Sequence, residues 1–201
     1  MQADYSVELG PDDPALEFPW VAEDGSEHDG VRYFNVKQCP DLVLNIPEAR
    51  RHPELSEFLS RINASGFPLE TAKCDAWFSS ELFPEEEIFG AACKFVCYVD
   101  FLFNADAPRL SFEKHESLAQ NVCTLLKRAP EMAAASEFVI RRCYYHVDGR
   151  QDASVNGFSI TAYVTGYGDT QEEALQRWAI ALKLLQHALV QVSSGFAADK
   201  R

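Results

Sequence analysis

The stretch Ala91-Ala92-Cys93-Lys94-Phe95-Val96-Cys97-Tyr98-Val99-Asp100-Phe101-Leu102-Phe103 decides how the rest of the chain is read. Ala91, Cys93, Phe95, Cys97, Val99, Phe101 and Phe103 are apolar and occupy alternate positions. Successive side chains of a strand point to opposite faces, so this alternation predicts a central strand with one face in the core. Lys94, Tyr98 and Asp100 lie on its other face.

Upstream, Ala72, Cys74, Ala76 and Phe78 alternate with Thr71, Lys73, Asp75 and Trp77, which predicts a second strand. Before it, Leu55, Phe58, Leu59 and Ile62 fall at i, i+3, i+4 and i+7, one face of a helix that starts at Pro53 and leaves at Gly66. Val31–Val36 and Leu42–Ile46, bounded by Pro40 and Pro47, read as one or two edge strands.

Downstream, Ser111 caps a helix from Phe112 whose buried stripe is Leu118, Val122, Leu125 and Leu126. Two strands follow, Glu137–Val147 and Phe158–Thr165, with Phe158, Ile160, Ala162 and Val164 inward. Thr170 and Glu173 have capping-box spacing, and the helix they open at Gln171 carries Leu175, Trp178, Leu182, Leu185, Leu189 and Val192 on one stripe. The strand-to-helix junction Gly168-Asp169-Thr170-Gln171-Glu172-Glu173-Ala174-Leu175 resembles the end of small HicB-like antitoxin domains; that likeness implies a helix start and nothing of function.

The three helix starts, Pro53, Phe112 and Gln171, are spaced 59 residues apart both times. Two helix–strand–strand units and a closing helix predict an α+β domain. The expected form is a four-stranded antiparallel sheet with three helices on one face, a ferredoxin-like, duplicated αββ architecture with a long C-terminal helix. The expected organisation is an acidic arm over residues 1–30, one domain over 31–195 and a polar tail over 196–201.

The arm holds nine acids and no Lys or Arg, against 22 acids and 18 bases in the remainder, within a net charge of −13. That balance argues against nucleic acid and anionic membrane surfaces as partners. Leu16, Phe18, Trp20 and Val21 give the arm more apolar surface than a solvated tail needs, so it docks on the domain or binds a partner. In the second case its deletion leaves the melting temperature unchanged. The start, Met1-Gln2-Ala3-Asp4, lacks the pattern of an export signal, and no apolar run is long enough to span a membrane, so the cytoplasm is the expected location.

Six cysteines without a CxxC pair read as buried thiols in a reducing compartment. Cys93 and Cys97 share a face of one strand but stand about 13 Å apart, too far to share a zinc ion. No phosphate loop, nucleophile elbow or HExxH pattern is present, so no catalytic residue, metal or cofactor is expected. His115, between Glu113 and Glu116 at a helix start, reads as solvated.

Three helices on one side leave the other side of the sheet to be explained. Its candidate residues are Trp77, Tyr98, Arg142, Tyr144, His146 and Tyr163, on the assumption that Val139, Cys143, Tyr145 and Val147 point inward. One arginine falls in each alternate set of that third strand. Such a face is solvated, buried against a second copy or another protein, or used for a small ligand with Arg142 as an anion anchor. In size, charge and element order the chain resembles small acidic α+β chaperones of bacterial secretion, which implies protein binding. The expected function is a non-enzymatic, homodimeric, adaptor- or chaperone-like binding module. A small-molecule sensor or enzyme using the open face is the alternative.

Overall fold

The computed structural model describes residues 1–19, 33–146 and 154–198, with side chains up to residue 193. Six strands form one sheet: β1 (Gln2–Glu8), β2 (Leu16–Phe18), β3 (Leu69–Ser79), β4 (Cys93–Phe103), β5 (Ala134–His146) and β6 (Ser154–Gly168). The helices are α1 (Pro47–Arg51), α2 (Pro53–Ile62), α3 (Asp106–Arg109), α4 (Phe112–Leu126) and α5 (Gln171–Ala198), with 3-10 turns at Pro40–Asn45 and Pro84–Phe89.

The strand order is β1-β5-β6-β4-β3, with β2 also paired to β5. The hairpins β3–β4 and β5–β6 are antiparallel and meet at the antiparallel β4–β6 pair. β1 runs parallel to β5 along Ala135–Arg141, and β2 continues on the same edge along Cys143–Tyr145. The fold is therefore mixed α+β with a six-stranded sheet and a long C-terminal helix, and six strands stand where four were expected. Two of its strands lie in the segment read as an acidic arm. Gln2, Asp4 and Ser6 face away from the helices there, and a polar edge strand lacks the apolar run that marks a strand in sequence.

Local signals place the helices. Ser111 Oγ accepts from Lys114 N at 3.3 Å at the start of α4, and Thr170 Oγ1 accepts from Glu173 N at 3.2 Å at the start of α5. Gly66, beyond α2, adopts φ +82°, a backbone conformation natural to glycine. α2, α4 and α5 all pack on one face of the sheet, and their buried stripes merge with Phe95, Cys97, Val99, Phe101, Ile160 and Ala162 into one core. Trp178 sits fully buried at its centre, 4.8 Å from Phe95 and 5.6 Å from His52. Burying an indole of this size contributes roughly 4–6 kcal/mol before the cost of ordering it.

Three further expectations change. Pro40–Asn45 is a 3-10 turn rather than a strand, because Pro40 opens it and Val43 is its single buried residue. Val31 and Arg32 lie outside the described residues. His115 is buried, with its Nδ1 2.8 Å from Ser111 O and its ring 4.9 Å from Phe103, because the first turn of α4 crosses the sheet there. Burial holds its pKa below the usual imidazole value, against the pull of its backbone hydrogen bonds. α5 runs on to Ala198, past the domain end expected at residue 195.

Candidate functional site

With the helices on one face, side-chain parity assigns the other. Tyr98, Tyr163 and Glu137 are register partners on β4, β6 and β5, and Asp75 on β3 stands opposite Tyr98. The tyrosine rings are 6.0 Å apart, and Trp77 meets Tyr98 edge-on at 6.4 Å. Three of the six sequence candidates, Trp77, Tyr98 and Tyr163, are thus brought together on the helix-free face.

The other three are not. Arg142 pairs in register with Phe158, whose ring packs against Phe112 and His115 beneath α4. Arg142, Tyr144 and His146 therefore belong to the helix-bearing side, which corrects the register assumed for this strand. Arg142 Nη2 donates to Gly10 O, and His146 Nε2 lies 3.5 Å from Glu17. The physical reason is that Phe138 and Ile140, not Val139 and Cys143, fill the main core. The apolar residues of the odd set are buried elsewhere. Cys143 and Tyr145 join Leu16, Phe18 and Leu102 in a second, smaller core on the helix-free side, roofed by β2 and Tyr33. That small core was invisible without knowing that β2 lies beside β5.

Parity brings Arg141 to the open face instead. Its Nε donates to Glu8 at 2.8 Å and its Nη1 to Thr161 Oγ1 at 3.1 Å, while Thr161 Oγ1 donates to Asp100 at 2.6 Å. This chain of polar groups crosses four strands. Burial pushes the Asp100 carboxyl above its ordinary pKa, opposed by the Thr161 hydrogen bond and by Lys73 and Arg141. Burial and the Asp100 charge together raise Tyr98 to about 12. The raised Asp100 value has a defined consequence. Its contribution to stability is complete below the unfolded carboxylate range of about 4 and is lost as pH rises through the folded value. Asp100→Asn keeps the acceptor for Thr161 and removes the charge. It is expected to be more stable than the parent at pH 7, with the gap closing towards pH 4. Melting curves at the two pH values check this, and a gap independent of pH would show that burial of the charge costs nothing.

At the far end of the face, Glu86 clamps the Pro84–Phe89 turn onto the sheet. Its carboxylate accepts from Lys94 at 2.6 and 2.9 Å, from Tyr167 OH at 2.9 Å and from Phe83 N at 2.7 Å. Burial works against the Glu86 charge, but these hydrogen bonds and the Lys94 ammonium outweigh it and hold the carboxyl below its usual range. The clamped turn forms one wall of a groove of about 1020 Å³ that runs from Trp77 across Tyr163 and Glu137 to Asp4 on β1.

Burial pushes the thiols of Cys74, Cys97 and Cys143 to about 12 and that of Cys123 to about 11, so at neutral pH they are not thiolate nucleophiles. Among the described residues, no group of three or more His, Cys, Asp or Glu is arranged to hold a metal ion, and no helix is long and apolar enough to cross a membrane. The arrangement offers shape, ring faces and charge. No family model, no curated protein and no solved structure matches this chain.

Proposed function

We propose that this protein is a non-enzymatic, adaptor- or chaperone-like binding module that holds another protein on the helix-free face of its sheet. The observation that carries the reading is the breadth of that face: a groove lined by Trp77 and Tyr163 reaches from β3 to β1, with Tyr98 packed against both rings. Four strand spacings of about 4.8 Å make it roughly 19 Å wide. An exposed tryptophan beside half-buried tyrosines in a concave surface suits a polypeptide segment. We read the two αββ units, ferredoxin-like in their layering, as the rigid scaffold that presents it. Six free thiols suit a reducing compartment, and we place the protein in the cytoplasm on that ground.

Of the protein occupants, the charge on the face favours a different protein over a second copy. A twofold mate would bring a second copy of the same carboxylate-rich groove to this face, and like charges in contact are destabilising. The same carboxylates disfavour nucleic acid and anionic membrane. The test is Tyr163→Glu, at a half-buried position on the open face. The expected result is a modestly lowered melting temperature, since the new carboxylate stands opposite Glu137, with loss of a protein that the parent retains from host extract. Retention of the same proteins by both forms would overturn the reading. A light-scattering mass of two chains, falling to one in the variant, would assign the face to self-association instead.

A further inference from the structure

We infer that the segment held on this face presents arginine, and that its guanidinium seats on Tyr163 and pairs with Glu137; this rests on the protein-binding reading above. The ground is a single rung of the sheet. Register places Asp4 opposite Glu137, Glu137 opposite Tyr163, Tyr163 opposite Tyr98, and Tyr98 opposite Asp75. One straight line perpendicular to the strands thus reads carboxylate, carboxylate, phenol, phenol, carboxylate, with no cation in it.

Two features of that rung are unfavourable for the chain alone. Asp4 and Glu137 are directly opposed like charges, a pairing that costs stability. Among the described residues no ion pair neutralises either of them, or Asp75, and all three are exposed. The surrounding groove does not compensate. Its lining carries five carboxylates (Asp4, Glu81, Glu85, Glu86, Glu137) against three ammonium groups, of which Lys94 is held by Glu86 and the Met1 amine donates to Pro130 O. The rung itself therefore lacks a positive charge where ring faces are available, and Arg141, further along β5 on the same face, is already committed to Glu8 and Thr161.

Arginine meets both needs. Its planar cation stacks on a tyrosine ring while its fork pairs with a carboxylate, and it gives up hydration more readily than lysine. Two carboxylates abreast, Asp4 and Glu137, suit five donors better than a point charge. A segment with arginine at alternate positions would also keep its intervening side chains off the charged rung.

The test uses the full chain and three short fluorescein-labelled peptides alternating valine with arginine, with lysine or with glutamate, read by fluorescence anisotropy. The arginine peptide is expected to bind, the lysine peptide several-fold more weakly, and the glutamate peptide not at all. Glu137→Gln is expected to weaken the arginine peptide about tenfold while raising the melting temperature of the unliganded protein, since repulsion from Asp4 is relieved. Glu172→Gln, at the start of α5 on the opposite side of the sheet, is the control and leaves the affinity unchanged. Equal binding of the arginine and lysine peptides, equal loss in Glu137→Gln and Glu172→Gln, or no binding by any peptide would overturn the inference. None of these results bears on partner capture through Tyr163, so the two readings fail separately.

Discussion

Deletion of residues 1–19 is expected to destabilise the protein by about 5 kcal/mol or more and to lower its melting temperature by roughly 10–20 °C. The segment supplies β1 and β2, which hydrogen-bond along most of β5 from Ala135 to Tyr145. It also supplies Leu16 and Phe18, both 8% exposed, to the small core against Cys143 and Tyr145. Phe18 lies 5.2 Å from Tyr33 and 6.1 Å from Tyr145, and the Arg109 guanidinium stands 5.0 Å above the Tyr145 ring. Without the segment, β5 becomes a bare edge beside a line of uncovered apolar side chains, and such edges pair with other chains. Thermal denaturation with light scattering reads both effects. Phe18→Ala alone is expected to account for about 3 kcal/mol. A melting temperature that moves by only a degree or two would show that β1 and β2 are appended to the sheet without supporting it. That is the behaviour expected of a detachable interaction arm.

The second large effect is expected at Gly166. α5 lies against β6 so closely that a Cβ on Gly166 would collide with Trp178 N and Ala174 O. These are backbone atoms of a helix anchored by the fully buried Trp178, so no flexible side chain can yield. Gly166→Ala is expected to cost about 3 kcal/mol or more through overpacking, and Gly166→Val to prevent accumulation of folded protein. Gly168 repeats the arrangement one step further along, where a Cβ would stand 2.6 Å from Ala174 N. Gly90 is the useful contrast. Its φ of +59° is left-handed but a Cβ there meets nothing within 4 Å, so Gly90→Ala is expected to cost only about 1 kcal/mol of backbone strain. Urea denaturation of the variants ranks them. Gly166→Ala as stable as the parent would mean that α5 does not rest on β6 at this point.

Particular residues show where the sequence was legible. The helix starts at Pro53, Phe112 and Gln171 coincide with α2, α4 and α5, because each is written within a few residues as a proline, a serine cap or a threonine–glutamate pair. The alternation of Phe95, Cys97, Val99 and Phe101 assigned the faces of β4 for the same reason. In β3 the alternation misled where Thr71 and Cys74 bracket a bulge, which sets Thr71 opposite Phe101 on the helix side and turns Ala72 to the helix-free face. His115 was misread because neighbouring acids say nothing about the strand that a helix crosses.

The open face was half legible. Trp77, Tyr98 and Tyr163 sit on strands with one apolar set each, so their direction was forced. β5 has an apolar set on both sides: Phe138 and Ile140 on one, Val139, Cys143 and Tyr145 on the other. Its arginines divide between them. Which set entered the main core depended on Leu16 and Phe18 arriving from more than a hundred residues away to bury the other.

The chain by itself determined where its helices begin, how its strands alternate and that its net charge is strongly acidic, because caps, periodicity and composition act over short distances or none. Only the tertiary structure decided that the acidic N-terminal residues complete the sheet, that Arg141 rather than Arg142 reaches the open face, and that three carboxylates share a rung with two tyrosines. Those outcomes follow from pairings between distant strands, whose register no local pattern encodes.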